Sequence, residues 1–244
     1  IVPNLKALFR KIKYTILEIC GKIRNVKENI GYNREGRGFL LDFSPEINYH
    51  KHYINRYAFL FNEYIGNKYV YLPELSLRYT GQKTFQFDNS HKTIALYLGG
   101  ENKEFRKYPD EYAVQLLRLL NRQGYNLLLI GDENDNIKHT QYAEEARIDH
   151  LINLTARTTI EGFINTIANV DLIITIDSSA LHIAAAVKTP FIALMGLSTS
   201  PTSTILPKVP LGRILKIENN LIREEDYIRN ITPDLILKTI SELI

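Results

Sequence analysis

One cysteine, Cys20, one methionine and no tryptophan stand in 244 residues. A lone Cys excludes an internal disulfide framework, and no Cys/His spacing has the form of a zinc site. The expected compartment is therefore reducing and cytoplasmic. No apolar run approaches the roughly 18 residues of a membrane-crossing helix, and no leader-like stretch with a small-residue cleavage site is visible. No G-x-G-x-x-G follows a predicted strand, which argues against a dinucleotide-dependent oxidoreductase, and the absence of G-x-x-x-x-G-K-[ST] argues against a P-loop NTPase. D-x-D is missing as well. Its nearest approach is Asp132-Glu133-Asn134-Asp135, where the two Asp residues are three positions apart instead of two.

What is present is a chain with 45% hydrophobic residues, enough for a large core, and a net charge of only +3 that is unevenly placed. Residues 1–90 carry 14 Lys and Arg against 8 Asp and Glu, whereas residues 91–244 carry 16 against 19. The basic excess points to an anionic partner for the first part. Asn4 to Val26 has apolar residues at three-and-four spacing, among them Leu5, Leu8, Phe9, Ile12 and Ile16, with Lys6, Arg10, Lys13, Lys22 and Arg24 on the other face. This amphipathic helix has two readings, a solvated basic face or a face that meets acidic lipid or glycolipid.

From residue 93 onward strands and helices alternate, the pattern of a doubly wound parallel sheet. Strands are predicted at Thr93–Leu98, Leu127–Ile130, Leu151–Leu154, Leu172–Ile176, Phe191–Met195 and Ile214–Ile217. Helices are expected from about Pro109 to Gly124, to about Ala146, from a Thr158–Glu161 capping box with Ile160, Phe163, Ile164, Ile167 and Ala168 inward, and from Thr232 with Ile236, Leu237, Ile240 and Leu243 inward. Polar, aperiodic residues 80–92 read as the connection between a first domain (1–85) and a second (86–244). In the first, Phe39–Phe43 reads as a strand and His52 onward as a helix ending near Gly66.

The centre of the chain is Val170 to Pro207. A continuous apolar run, Leu172 to Ile176, suits a strand buried on both faces. Asp177-Ser178-Ser179 follows at its carboxyl end, then a small helix, Ala180 to Ala186, with His182 one turn in, and after Thr189-Pro190 a second buried strand and a Ser/Thr/Pro loop. Ligands of open α/β sheets bind at this edge, and a helix start is a ready anion site. Asp177 and Ser178 also suit simple helix capping, and His182 a structural role.

The order D-S-S-x-x-H-I-A-A-A, then T-P, a strand and Gly196, resembles the signature of glycosyltransferase family 9, the lipopolysaccharide heptosyltransferases, with Ser179 where that family commonly has Gly. The Ile30-Gly31-Tyr32-Asn33 segment and the H-x-[IV]-x-R start at His52 are similar to the same family. The resemblance implies a GT-B fold with a Rossmann-like second domain, and transfer of a heptose or related sugar from an ADP-sugar to a lipopolysaccharide core acceptor. On that comparison the chain starts midway through the first domain, and the Asp proposed as the family's catalytic base falls ahead of Ile1. The catalytic residue is thus unassigned, with Asp42 and Glu46 as the first alternatives. Read bottom-up, a decayed, non-catalytic nucleotide-sugar-binding or scaffold relative is the competing class.

Three strand ends should converge on one rim. After Gly99-Gly100, Arg106 and Lys107 put cations just before a helix start. In the family this segment resembles K-x-W-P, whose Lys contacts the donor phosphates; Arg106 holds that position and Tyr108 stands for the Trp. Glu133, after Gly131-Asp132, matches the family's ribose-contacting Glu, and is equally a solvated acidic turn. At the third end Asp177 is assigned to sugar hydroxyls or to capping, and Ser178, Ser179 and His182 to the phosphates. Without D-x-D, these cations and helix-terminus amides would stabilise the leaving diphosphate with no metal and no cofactor beyond the nucleotide-sugar donor. The expected partners are that nucleotide sugar, a lipid-linked oligosaccharide and an anionic membrane surface on the inner face of the cytoplasmic membrane, and not nucleic acid.

Overall fold

The computed structural model of the chain describes residues 27–34, 36, 38–47, 53–66, 75–99, 107–196, 207, 209–217 and 223–244. The basic helix expected over Asn4–Val26, the position of Arg106 and the Ser198–Thr204 loop lie outside them. The chain divides into two compact units, one within Ile1–Pro73, the other formed by Glu74–Pro201 and Leu206–Ile244.

In the first unit a helix, α1 (Tyr53–Tyr64), forms as expected and stops before Gly66, whose φ of +75° suits a residue without a side chain. The strand expected at Phe39–Phe43 is absent. Gly38–Leu40 makes a 3₁₀ turn, and Phe43 forms a single parallel bridge with Ile30. Backbone bonds at this bridge run from the Gly31 N–H to the Phe43 carbonyl at 3.0 Å and from the Asp42 N–H to the Asn29 carbonyl at 2.8 Å, and side chains add to them: Asn33 accepts the Gly38 N–H at 3.0 Å and Asp42 accepts the Asn29 N–H at 2.8 Å. Phe39, which a strand would have buried on one face, is 79% exposed.

The second unit is a six-stranded sheet in the order β3-β2-β1-β4-β5-β6, parallel throughout. The strands are β1 (Thr93–Tyr97), β2 (Asn126–Leu129), β3 (Leu151–Asn153), β4 (Leu172–Ile176), β5 (Phe191–Leu194) and β6 (Gly212–Leu215). Every residue of β1, β2, β4 and β5 is buried, as unalternating apolar runs require when helices cover both faces. β6 begins two residues before the expected Ile214, because backbone pairing with β5 already starts at Phe191 and Gly212, where the Phe191 ring lies so close that an added Cβ would sit 2.1 Å from it.

The helices are α2 (Asp110–Arg122), α3 (Asn136–Ala146), α4 (Ile160–Ala168), α5 (Ser179–Val187) and α6 (Pro233–Ile240). α3 and α6 pack on α2, and α4 packs on α5. α2 starts after Pro109 with two acids in its first turn, buries Ala113, Val114, Leu116, Leu117 and Leu120, and stops before Gly124 at φ +82°. In α6, capped by Thr232, Ile236 and Ile240 are buried with Thr239, while Leu237 and Leu243 are only half-buried.

α4 departs from its expected start and face. Its N-cap is Thr159, which accepts the Gly162 N–H at 3.1 Å, so the box expected from Thr158 to Glu161 is displaced by one residue and loses its acidic half. Ile160 is 83% exposed, and the buried stripe is Asn165, Thr166 and Ile167. The reason lies in residues 80–84. Asn165 accepts the N–H groups of Thr80 and Gly81 at 3.1 and 3.2 Å and donates to Thr80 Oγ1 at 2.9 Å, while the Thr84 and Thr166 hydroxyls meet at 2.6 Å. A polar stripe buries because a polar strap covers it. The strap belongs to the second unit.

Candidate functional site

The strand order reverses between β1 and β4, since β1 leads outward to β2 and β3 on one side and β4 to β5 and β6 on the other. Such a switch point opens a crevice at the carboxyl ends of the strands. Register fixes which residues meet there: Tyr97 of β1 is level with Thr175 of β4, and Leu96 with Leu129 of β2. The exits at Leu98-Gly99, Ile130-Gly131 and Ile176-Asp177 therefore lie side by side on one edge.

At the β4 exit Ser178 is the N-cap of α5. Its Oγ accepts the Ala180 N–H at 3.2 Å and lies 2.9 Å from the Thr175 hydroxyl. Ser179 is the first residue of the helix and is exposed, and Asp177 and His182 are half-buried. Ser178 is thus engaged locally, and what it leaves at the edge is the positive end of a nine-residue helix flanked by Ser179 and His182.

At the β1 exit a cleft of about 220 Å³ is lined by Gly99, Lys107, Asn134, Asp135, Lys138 and Arg229, among others. Lys107 is half-buried. Tyr108, next to it, is 1% exposed and donates its hydroxyl to the Ile231 carbonyl at 2.9 Å. Burial above all, with Tyr112 and Asp234 nearby, pushes that phenol well above its usual range, so it stays a neutral donor. An indole N–H has the same donor role, on a larger apolar body. Asp110 takes hydrogen bonds from Lys138 and from Tyr142, the latter at 2.5 Å. Burial raises its carboxyl, but these two partners and the Lys138 and Lys107 charges bring it below the ordinary value.

At the β2 exit Glu133 is exposed and opens a 3₁₀ turn, Glu133–Asp135. The residue that the sequence reading passed over is Asp135. Its carboxylate is buried, packs against Gly99 and Gly131, and accepts the Asp132 N–H at 3.3 Å, while Asp132 accepts the Asn134 N–H at 2.8 Å. The pair forms a capping box, and the D-x-x-D spacing that failed as D-x-D was its signal. His139, also passed over, is fully buried one turn further on. Its Nδ1 lies 2.7 Å from Thr155 Oγ1, and burial lowers its ring to about 4 against the opposing charges of Asp135 and Asp132.

The structure thus brings Lys107 together with Asp135 in one cleft. Glu133 stands beside Asn134 at the cleft's wall, and Asp177, Ser178, Ser179 and His182 form the neighbouring exit across β1. Among the described residues no helix is long and apolar enough to cross a membrane.

The sequence profile of glycosyltransferase family 9 (heptosyltransferase) matches residues 20–225. The lipooligosaccharide heptosyltransferase 2 of Haemophilus influenzae is 31% identical over 158 residues, 60% of this chain and 45% of that protein. The lipopolysaccharide heptosyltransferase 2 of Escherichia coli is 24% identical over 172 residues, 66% of this chain and 49% of that one. This chain therefore spans about half the length of the curated relatives it matches. The structure of the Escherichia coli ADP-heptose lipopolysaccharide heptosyltransferase II superposes with a TM-score of 0.79 at 20% identity, over 94% of this chain and 73% of that one. That of a family 9 glycosyltransferase from Veillonella parvula gives 0.68 at 16% identity, over 83% and 63%. With the profile covering most of its length and the parallel sheet matched by these folds, the chain belongs to glycosyltransferase family 9 and has the family's GT-B architecture.

Proposed function

We propose that the chain binds an ADP-sugar, ADP-heptose or a close relative, and that its protein transfers the sugar to a lipopolysaccharide core acceptor without a metal ion. The observation that carries this reading is the family match over residues 20–225, joined to three adjacent strand exits whose polar residues suit a nucleoside diphosphate. The Escherichia coli heptosyltransferase WaaC, solved with ADP and with ADP-2-deoxy-2-fluoro heptose, has the same fold at TM-scores of 0.57 and 0.61 and 17% and 16% identity.

In this reading the anomeric C–O bond to the diphosphate breaks as negative charge builds on the leaving phosphate. Arg106, Lys107, His182 and the first amides of α5 neutralise that charge. Ser178 holds the helix start in place, Ser179 faces the phosphates, Asp177 accepts sugar hydroxyls, and Glu133 accepts the ribose hydroxyls. The acceptor is a lipid-linked oligosaccharide, and the work is done in the cytoplasm, with the basic segment Asn4–Val26 against the anionic inner face of the membrane.

Calorimetric titration of ADP, GDP and UDP, with and without EDTA, tests the reading. The expected result is tightest binding of ADP, unchanged by EDTA. Equal indifference to all three nucleotides would overturn the donor assignment, and loss of binding in EDTA would overturn metal independence.

A further inference from the structure

His139 has no place in the chemistry above, and its surroundings are those of a part in a mechanism of support. The ring is fully buried at the start of α3, one turn beyond Asp135. Nδ1 meets Thr155 Oγ1 at 2.7 Å, and Thr155, itself fully buried, follows the β3 strand. The Thr155 N–H is held by Asn153 Oδ1 at 3.0 Å, and the Ala156 N–H by the Gly131 carbonyl at 3.1 Å. One short chain of bonds therefore ties the β3 exit both to the β2 exit and to the first turn of α3. That turn is continuous with Glu133–Asp135, whose buried carboxylate at Asp135 packs against Gly99 at the β1 exit. Asp135, His139 and Thr155, the side chains at the centre of this chain of contacts, are all buried, and ordering buried polar groups is worth its cost only where geometry matters.

We propose that His139 and Thr155 are positioning residues for the nucleoside end of the donor: their buried hydrogen bond sets the height of the Asp132–Asp135 turn above the sheet edge, and so the aim of its carboxylates. The proposal rests on the nucleotide-sugar reading for its ligand, but not for its geometry. The groups facing the ring are Asp132 and Asp135 from the turn, Tyr142 from α3, whose ring centroid lies 5.7 Å away, and the Thr155 hydroxyl from the β3 exit. The ring is neutral at pH 7, which lets one nitrogen accept from, or donate to, the hydroxyl without placing a buried cation beneath the turn.

The test compares Thr155→Val, which keeps shape and removes the hydroxyl, with Thr155→Ser, which keeps the hydroxyl, and with His139→Asn. Two quantities are read on each folded variant: amide exchange at Glu133–Asp135 without ligand, and affinity for ADP and for inorganic pyrophosphate. Thr155→Val and His139→Asn are expected to speed exchange in the turn and to weaken ADP about tenfold, the effect of one lost, well-placed hydrogen bond, with pyrophosphate affinity within twofold of the parent. Thr155→Ser should restore both. Unchanged exchange in Thr155→Val, or an equal loss for ADP and pyrophosphate, would overturn the positioning role. Should the parent chain fail to bind ADP, the donor reading falls, and the exchange measurement still decides whether this bond sets the turn; a variant that does not fold leaves the decision to the Thr155→Val and Thr155→Ser pair.

Discussion

The carboxylate of Asp135 occupies the space that a side chain on Gly99 would need: an added Cβ would lie 1.8 Å from its Oδ1. The β1 and β2 exits approach closely at this contact, and Gly131 stands in a milder version of it, with 2.7 Å to Oδ2. Glycine is needed at 99 for close approach, not for an unusual backbone angle.

Gly99→Ala should therefore destabilise by about 1 to 3 kcal/mol, the usual penalty of overpacking, and weaken ADP binding with it. Pairing it with Asp135→Ala, which vacates the space, should return part of the stability. Additive losses in the urea midpoints of the double variant would refute the contact.

Asn165 should be the most costly single polar residue of α4. Truncation to Ala leaves the Thr80 and Gly81 N–H groups without their shared acceptor and the Thr80 hydroxyl without its donor. A loss of about 2 to 3 kcal/mol is expected, together with faster exchange of the amides at 80 and 81. Protection that stays at the parent level would mean that the strap is held by something else.

Acid should weaken the second unit through His139. Its ring titrates near 6.5 when unfolded and near 4 when folded. Between these values the unfolded chain binds a proton that the folded one refuses, so this contribution is complete above about pH 6.5 and is lost as pH falls toward 4. The full loss is at most about 3 kcal/mol. Urea melts at pH 7 and pH 4.5 should show a smaller difference for His139→Gln than for the parent; identical differences would remove His139 as the cause.

At the β4 exit, Ser178→Ala should cost about 1 kcal/mol of stability as a lost N-cap, whereas His182→Ala should weaken ADP by about 1 to 3 kcal/mol while leaving the fold intact. The two effects are separable because Ser178 Oγ bonds the helix itself. A His182→Ala chain that binds ADP as tightly as the parent removes that residue from the site.

The sequence by itself determined the parallel α/β order from residue 93 onward, since unbroken apolar runs such as Leu172–Ile176 leave no choice but a strand covered on both faces. It also placed the helix starts after Pro109 and Thr232, and to within one residue the start after Ser178, where local cap chemistry suffices, and its D-S-S-x-x-H signature pointed to the family that the profile identifies. Tertiary structure alone decided the rest. Ile160 turns to solvent and Asn165 inward because a strap 85 positions away in sequence supplies Asn165 with hydrogen bonds. Phe39–Phe43 forms no strand because Gly38–Leu40 closes into a 3₁₀ turn, which leaves only Phe43 to bridge Ile30. The D-x-x-D spacing marked Asp135 as a cap, but its burial, and His139 altogether, escaped for the same reason: periodicity records which faces are apolar, whereas the worth of a buried carboxylate or imidazole depends on partners such as Gly99 and Thr155, which only the folded sheet brings within reach.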